Sequence, residues 1–407
     1  MSEIVSLSAA RKAAAPKMRI GLLHLTDGAP AMVAHEFGYF ADEGVETELS
    51  VEPSWANIAD KLAFGFLDAA VLVPPLAFAV QLGLRGAMQP LLIPSAINSR
   101  GSTITLNNSL AREIYDRAVR ENLTTVEAFA AVLRARPTAL GIVHAFSTHN
   151  LYLRYWLATA GIEAGRDVKL IVVPPARAVE ALTSGQIAGF CAGAPWGEVA
   201  RRAGAGVTIA TSHDIWANAP EKVFAVRARW AEENPEALAA SLRALLRAAQ
   251  FCDAPENASY IAALLSRRRY FALDSHAILA SLPGGVMGDG ACVFYRGAAT
   301  FPWRSQGLWF LNEMRRWGLI DPATDLRELV ERVYRPDFHR AAAQALGLPA
   351  PTADWKTEGA HDAPWTLDAQ PETIAMPADR FCDGSIFVPE NVAVIDATTA
   401  KSALHKL

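Results

Sequence analysis

The chain has 407 residues, 51 % of them hydrophobic and 20 % charged, which is enough apolar surface to bury sizeable cores and excludes disorder as the main state. With 38 basic against 42 acidic residues, the net charge is −4, so the cationic face that sequence-blind nucleic-acid binding requires is missing. Cys191, Cys252, Cys292 and Cys382 form no CxxC pair and no metal-ligand spacing, and are expected to be buried thiols of a reducing compartment.

The stretch from Met1 to Lys17 carries Glu3 early and Arg11-Lys12 in its middle. A secretory leader would need about 7–15 consecutive apolar residues there. No Cys precedes residue 191 to carry a lipid anchor, and no run of about 18 apolar residues occurs to span a bilayer. The expectation is a cytoplasmic protein.

Residues 18–24 form a short apolar run suited to a buried strand, Asp27-Gly28 turns the chain, and Pro30 opens a helical pattern ending near Gly38. Val45, Thr47, Leu49 and Val51 then alternate as in a strand, completing one βαβ unit. The alternation continues with a helix over 58–66, a strand over 69–73, a helix over 76–82 and a strand over 88–93. A polar helical stretch over 109–136 precedes a second series. Strands are predicted over 139–143, 170–173, 189–192, 207–210 and 223–226, with helices over 150–160, 176–184 and 196–203 between them. Beyond 226 the chain is mainly helical, with a long amphipathic helix over 235–252. From Pro349 it becomes Pro-rich and reads as an extended wrap. Strands alternating with helices predict mostly parallel α/β sheets. Two such lobes in series predict a clamshell, with lobe 1 formed by 18–106 plus 225–348, lobe 2 by 107–224, and a tail over 349–407 packed on the body.

Ligands of open α/β sheets lie outside the carboxyl ends of the strands, so the residues there are the candidates. Ser54-Trp55 follows the alternating strand, the segment from Asn98 to Thr105 with Gly101 follows the strand ending at 93, Phe146-Ser-Thr-His149 begins a helix, and Pro220-Glu-Lys222 precedes the strand at 223. Singly, each has an ordinary structural reading: Trp as a packing residue, His and Lys as solvated side chains, Gly101 as a turn, Thr105 as a strand residue. Together, a helix N-terminus, a His and a Lys make an anion-binding set, and an indole offers a flat wall. No GxxxxGK[ST], GxGxxG or GxSxG segment occurs. One fixed cation suits a monovalent anion better than a phosphate ester.

Leu25-Thr-Asp-Gly-Ala-Pro30, Ser54-Trp55, Thr148-His149, Arg154-Tyr-Trp-Leu157, Val172-Val-Pro-Pro175, Ala194-Pro-Trp196, Pro220-Glu-Lys222 and Cys382-Asp-Gly-Ser-Ile-Phe387 resemble, in order from about 18 to about 389, the family of the nitrate- and bicarbonate-binding proteins NrtA and CmpA. The resemblance implies a type II periplasmic-binding-protein-like clamshell that holds an anion between its lobes. It implies that Trp55 walls the site, that His149 and Lys222 contact the anion, that Gly101 donates its backbone N–H, and that Thr105 stands where relatives carry a longer amide. Bicarbonate carries a proton that needs an acceptor, and bicarbonate-binding relatives place a carboxylate at the Lys222 position. Nitrate and nitrite only accept, so Lys222 argues for them.

The lack of a leader points to the NasS-like cytoplasmic branch. That resemblance implies a nitrate or nitrite sensor, not an enzyme and without a cofactor. It would hold a NasT-like RNA-binding antiterminator until the anion binds, touching neither nucleic acid nor membrane itself. The alternative is the substrate-binding protein of a nitrate ABC transporter. An enzyme on the same fold would draw on His144, His149 and Cys191, whose spacing offers no evident base–nucleophile pair.

Overall fold

The computed structural model describes residues 17–393. Its ten longer strands are β1 (Lys17–Leu22), β2 (Glu46–Val51), β3 (Ala69–Leu72), β4 (Leu91–Ser99), β5 (Ser102–Asn107), β6 (Ala139–Ile142), β7 (Lys169–Val172), β8 (Gly189–Gly193), β9 (Gly206–Thr211) and β10 (Pro220–Arg227). They form two five-stranded sheets, ordered β2-β1-β3-β10-β4 and β7-β6-β8-β5-β9. Pairings of β1 with β2 and β3, and of β6 with β7 and β8, are parallel, as the βαβ alternation dictates. Both sheets are nevertheless mixed, because β10 runs antiparallel between β3 and β4, and β5 runs antiparallel between β8 and β9.

Those two strands also move the lobe boundaries. The chain crosses between sheets at Arg100-Gly101 and again over 212–219, so residues 102–107 lie in the second sheet and 220–227 in the first. The sequence expectation placed these crossings at 106/107 and 224/225. Arg100 and Gly101 have φ of 63° and 92°, a left-handed pair that ends β4 and reverses the chain into β5 within what reads as one continuous apolar segment. The stretch predicted as one polar helix is two, Asn108–Glu121 and Thr125–Ala135. The first ends at Asn122 in the left-handed conformation, and a Thr124–Glu127 capping box starts the second.

The long helix Pro235–Asp253 buries Leu238, Leu242, Leu245 and Ala249 on one stripe. That stripe packs with Met32 and Val33 of the helix Ala29–Glu36 and with Met18, Ile20 and Leu22 of β1. A second core runs under both lobes and includes Phe78, Ile104, Leu140, Tyr152, Trp216 and Trp309.

The tail contains two small antiparallel ladders, 350–351 with 369–370 and 365–367 with 374–376. It is anchored by aromatic contact rather than periodicity. Phe381 packs on Trp216 at 4.5 Å between ring centroids, and the Ala217 N–H donates to the Arg380 carbonyl at 2.9 Å. The Tyr155 hydroxyl reaches Asp383 at 2.9 Å and Ser385 at 2.7 Å. The tail thus lies on the second crossing and on the helix Thr148–Thr159. Cys191, Cys252 and Cys292 are buried, whereas Cys382, in this tail, is exposed, against the expectation of four buried thiols. Among the described residues no helix is long and apolar enough to cross a membrane.

Candidate functional site

Two helix starts and one strand build the site. Ser54 caps the helix Trp55–Ala63 by accepting the Asn57 N–H, and so places Trp55 at its first position. Ser147 caps the helix Thr148–Thr159 by accepting the Asn150 N–H at 3.1 Å, which fixes His149 in the first turn. Lys222 comes from β10. Neighbouring residues of a strand face opposite ways, yet the Lys222 ammonium meets the Glu221 carboxylate. The register of β10 against β4 shifts on both sides of Lys222, an irregularity of the kind that re-aims side chains.

The structure brings Trp55, His149 and Lys222 together. Lys222 Nζ lies 5.7 Å from the centroid of the Trp55 ring. His149 Nε2 lies 3.5 Å from Glu221 Oε1, the oxygen that touches Lys222 Nζ. Trp55 is 1 % exposed, and His149 and Lys222 are fully buried. Among the described residues, Trp55 Nε1 and His149 Nε2 are buried without a hydrogen-bond partner. Two unpaired ring nitrogens beside an ammonium are unusual, because a buried polar atom left unpaired is destabilising.

Gly101 borders this cluster with its amide already engaged, and Thr105 is not brought to it. The Gly101 N–H donates to the Gly290 carbonyl at 3.2 Å and its carbonyl accepts the Ala194 N–H at 2.8 Å, so its amide is already engaged. Thr105 shares a sheet face with Thr103, and its hydroxyl lies 3.3 Å from that of Thr103 and 3.2 Å from that of Thr208, against Gly197. Ser102, on the other face of β5, is the one whose hydroxyl reaches Glu221, at 2.8 Å. The Arg100–Gly101 turn sets which way β5 faces, and so turns Thr105 toward Thr208 and Ser102 toward Glu221.

Three residues absent from the sequence-derived set complete the cluster. Asp27 Oδ2 lies 2.8 Å from Lys222 Nζ, and Glu221 also accepts the Thr148 hydroxyl at 2.7 Å. Gly193 ends β8, and a Cβ there would lie 3.2 Å from Asp27 Oδ2 and 3.3 Å from His149 Nε2, so the bare backbone is what lets these two groups approach it. Both acids stood inside segments that carried the resemblance, Leu25–Pro30 and Pro220–Lys222; their charge was the available signal.

Lys222 is therefore paired, not the free cation that its sequence context suggested. Two carboxylates share one ammonium, leaving an excess negative charge when both are ionised. Burial lowers the pKa of His149 to about 3, despite Glu221, so the imidazole is neutral. Burial raises Asp27 to about 6 against the pull of Lys222. Burial pushes Glu221 upward too, but the Lys222 charge and the hydrogen bonds from Lys222 and Thr148 outweigh it and hold this acid below its ordinary value. For Lys222, the two acids outweigh burial and raise it.

The cluster is sealed by contacts between the lobes. The Thr26 N–H donates to the Ala194 carbonyl at 2.9 Å, Trp196 Nε1 donates to the His24 carbonyl at 3.0 Å, and the Tyr152 hydroxyl donates to the Pro220 carbonyl. An open surface cavity of about 830 Å³, lined by Arg154, Arg316 and Trp317 among others, shares no residue with it. His144 and Cys191, the other residues of the enzyme reading, are both buried. The His144 Nδ1 accepts the Phe146 N–H at 3.1 Å, and burial pushes the Cys191 thiol well up. No group of three or more His, Cys, Asp or Glu side chains among the described residues is arranged to hold a metal ion.

Comparison with known proteins agrees with this architecture. Residues 11–266 match the model of the NMT1-like family. The chain is 32 % identical over 403 residues to the nitrate/nitrite binding protein NrtA of Synechocystis, spanning 94 % of this chain and 85 % of that one. It is 37 % identical over 339 residues to the bicarbonate transport ATP-binding protein CmpC of Synechococcus elongatus, covering 81 % of this chain and 50 % of that one. The crystal structure of the periplasmic nitrate-binding protein NrtA from Synechocystis superposes with a TM-score of 0.79 at 28 % identity, covering 96 % of this chain and 98 % of that one. Two mixed α/β lobes in the periplasmic-binding-protein-like arrangement, matched along nearly the whole chain, place this protein in the NMT1-like family together with the NrtA proteins.

Proposed function

We propose that this chain binds nitrate or nitrite between its two lobes, against Trp55, His149 and Lys222. The observation that carries the reading is the pair of buried, unpartnered ring nitrogens, Trp55 Nε1 and His149 Nε2, beside the Lys222 ammonium. Nitrate and nitrite accept hydrogen bonds and donate none, so they suit donors of this kind. The names of the NrtA relatives support the same ligands. Bicarbonate is the second reading. It is favoured by Asp27, whose carboxylate supplies the acceptor that bicarbonate's proton needs, and by the CmpC relative.

An anion held between lobes binds the closed form better than the open one and shifts the population toward closure. We propose that the chain uses that shift as a sensor, with a NasT-like RNA-binding antiterminator gripping the open form and released when the anion binds. A full swing from 1:99 to 99:1 requires about 5.5 kcal/mol of differential affinity. The substrate-binding protein of an importer is the alternative role, and the name of the periplasmic NrtA relative favours it. Cell fractionation and titration of the antiterminator complex with nitrate separate the two roles.

The test of the ligand is a thermal-shift series with nitrate, nitrite, bicarbonate, chloride and sulfate. A true ligand at a hundred times its Kd stabilises the native state by about 2.7 kcal/mol. Stabilisation by nitrate or nitrite is the expected result. Stabilisation by bicarbonate alone favours the second reading, and no response to any of the five overturns the proposal.

A further inference from the structure

We infer that anion binding at this site takes up a proton onto Asp27, so that the anion is held tightly only as the partner of a neutral carboxyl group. The inference rests on the proposed anion site and goes beyond it. One ammonium, Lys222 Nζ, faces both Asp27 Oδ2 at 2.8 Å and Glu221 Oε1 in a cluster almost wholly closed to solvent. Glu221 is the better supported acid, accepting the hydroxyls of Thr148 at 2.7 Å and Ser102 at 2.8 Å. Among the described residues, Asp27 pairs with no charged side chain other than Lys222. The Cβ position of Gly193 lies 3.2 Å from Asp27 Oδ2 and 3.3 Å from His149 Nε2, so these two atoms crowd the same side of the bare Gly193 backbone. An anion that accepts from His149 there lies against the Asp27 carboxylate. Two negative charges at such range in a desolvated site do not both persist, and one is neutralised by a proton.

Each element packed on the cluster contributes groups that define where the proton goes. The turn Thr26–Gly28 brings Asp27, the helix Thr148–Thr159 brings His149 and Tyr152, β8 brings Cys191, β10 brings Glu221 and Lys222, and the loop before Phe294 brings Cys292. Asp27 is the group among them that titrates near neutrality in the free site, at about 6. Burial holds the Tyr152 phenol and the Cys191 and Cys292 thiols protonated, His149 stays neutral, and Glu221 stays ionised. Protonation turns Asp27 from an acceptor that repels the anion into a donor that can bond it.

The direction follows from linkage. A bound anion raises the Asp27 pKa above its free value, so affinity is flat where Asp27 is already protonated. It falls by up to about tenfold per pH unit above about pH 6, until the bound site itself loses the proton. Isothermal titration calorimetry of the full chain with sodium nitrate, from about pH 5.5 to about pH 8.5, tests this. Repeating the titration near neutrality in two buffers of different ionisation enthalpy counts the protons. The expected result is uptake of about one proton per nitrate, with none in Asp27→Asn, whose nitrate affinity no longer depends on pH. Nitrate binding by the wild type with equal affinity across the range and no proton uptake overturns the inference while leaving the proposed ligand in place. Uptake that persists in Asp27→Asn overturns the assignment to Asp27. Absence of nitrate binding at every pH overturns the anion site itself, and the wild-type measurement stands even if the variant fails to fold.

Discussion

Replacing Lys222 by methionine separates the role of its charge from that of its bulk. The side chain is fully buried, and methionine is unbranched and comparably long, so it leaves little cavity and removes the ammonium. Asp27 and Glu221 then lose the cation that holds them. Removing one partner of a buried ion pair destabilises by about 3–5 kcal/mol, because the remaining charge is left uncompensated. In the variant both carboxylates have folded pKa values raised above the unfolded value of about 4. A carboxyl group shifted that way contributes its stability at low pH and loses it as pH rises through the folded pKa. The deficit of Lys222→Met is therefore expected in full near neutral pH and reduced by more than half near about pH 5, where both acids can be neutral. Urea unfolding of wild type and variant at the two pH values, followed by far-UV circular dichroism, measures it. A loss below about 1 kcal/mol near neutrality, or an equal loss at both pH values, would refute the reasoning.

Gly193→Ala places a methyl group 3.2 Å from Asp27 Oδ2 and 3.3 Å from His149 Nε2. It is expected to weaken nitrate binding by about tenfold or more, the value of one lost contact of about 1.4 kcal/mol. Unchanged affinity by calorimetry would put the anion elsewhere. Gly101→Ala is expected to act on the fold. A Cβ there lies 2.5 Å from Cys292 Sγ on a backbone at φ 92°, so a loss of about 1–3 kcal/mol should appear in chemical unfolding. Phe381→Ala should destabilise by about 3–5 kcal/mol, because its ring fills the contact with Trp216 and Trp309. A loss below about 1 kcal/mol would show the tail to be dispensable.

Much of the fold was legible because βαβ alternation leaves a plain trace, as apolar runs such as Ala69–Leu72 followed by Pro-led helices show. Trp55 and His149 could be found because strand ends and helix starts are where such folds gather ligands, and serine caps mark both starts. Thr105 could not be oriented, since the facing of β5 depends on a two-residue left-handed turn whose first member, Arg100, carries no turn signature. Glu221 was hidden by its own position, because strand alternation points it away from Lys222 until the irregularity in β10 brings the two together. The tail's anchorage was illegible for a different reason. Phe381 meets Trp216, and Tyr155 meets Asp383, from sequence positions more than 150 residues away, and no local period records such a pairing.

The place of β10 in the first sheet has a consequence for biogenesis. It is wedged between β3 and β4, yet it is translated only after every strand of the second sheet. The first sheet therefore stays split on the ribosome while the second lobe can complete itself from one continuous stretch. Its closure must wait for a long-range pairing, which is the slow kind. Because Glu221 and Lys222 ride on that late strand, the charged cluster can form only once the first sheet is closed. A ribosome-released fragment ending before residue 220 would carry Asp27 and His149 but never bring them to a common cation.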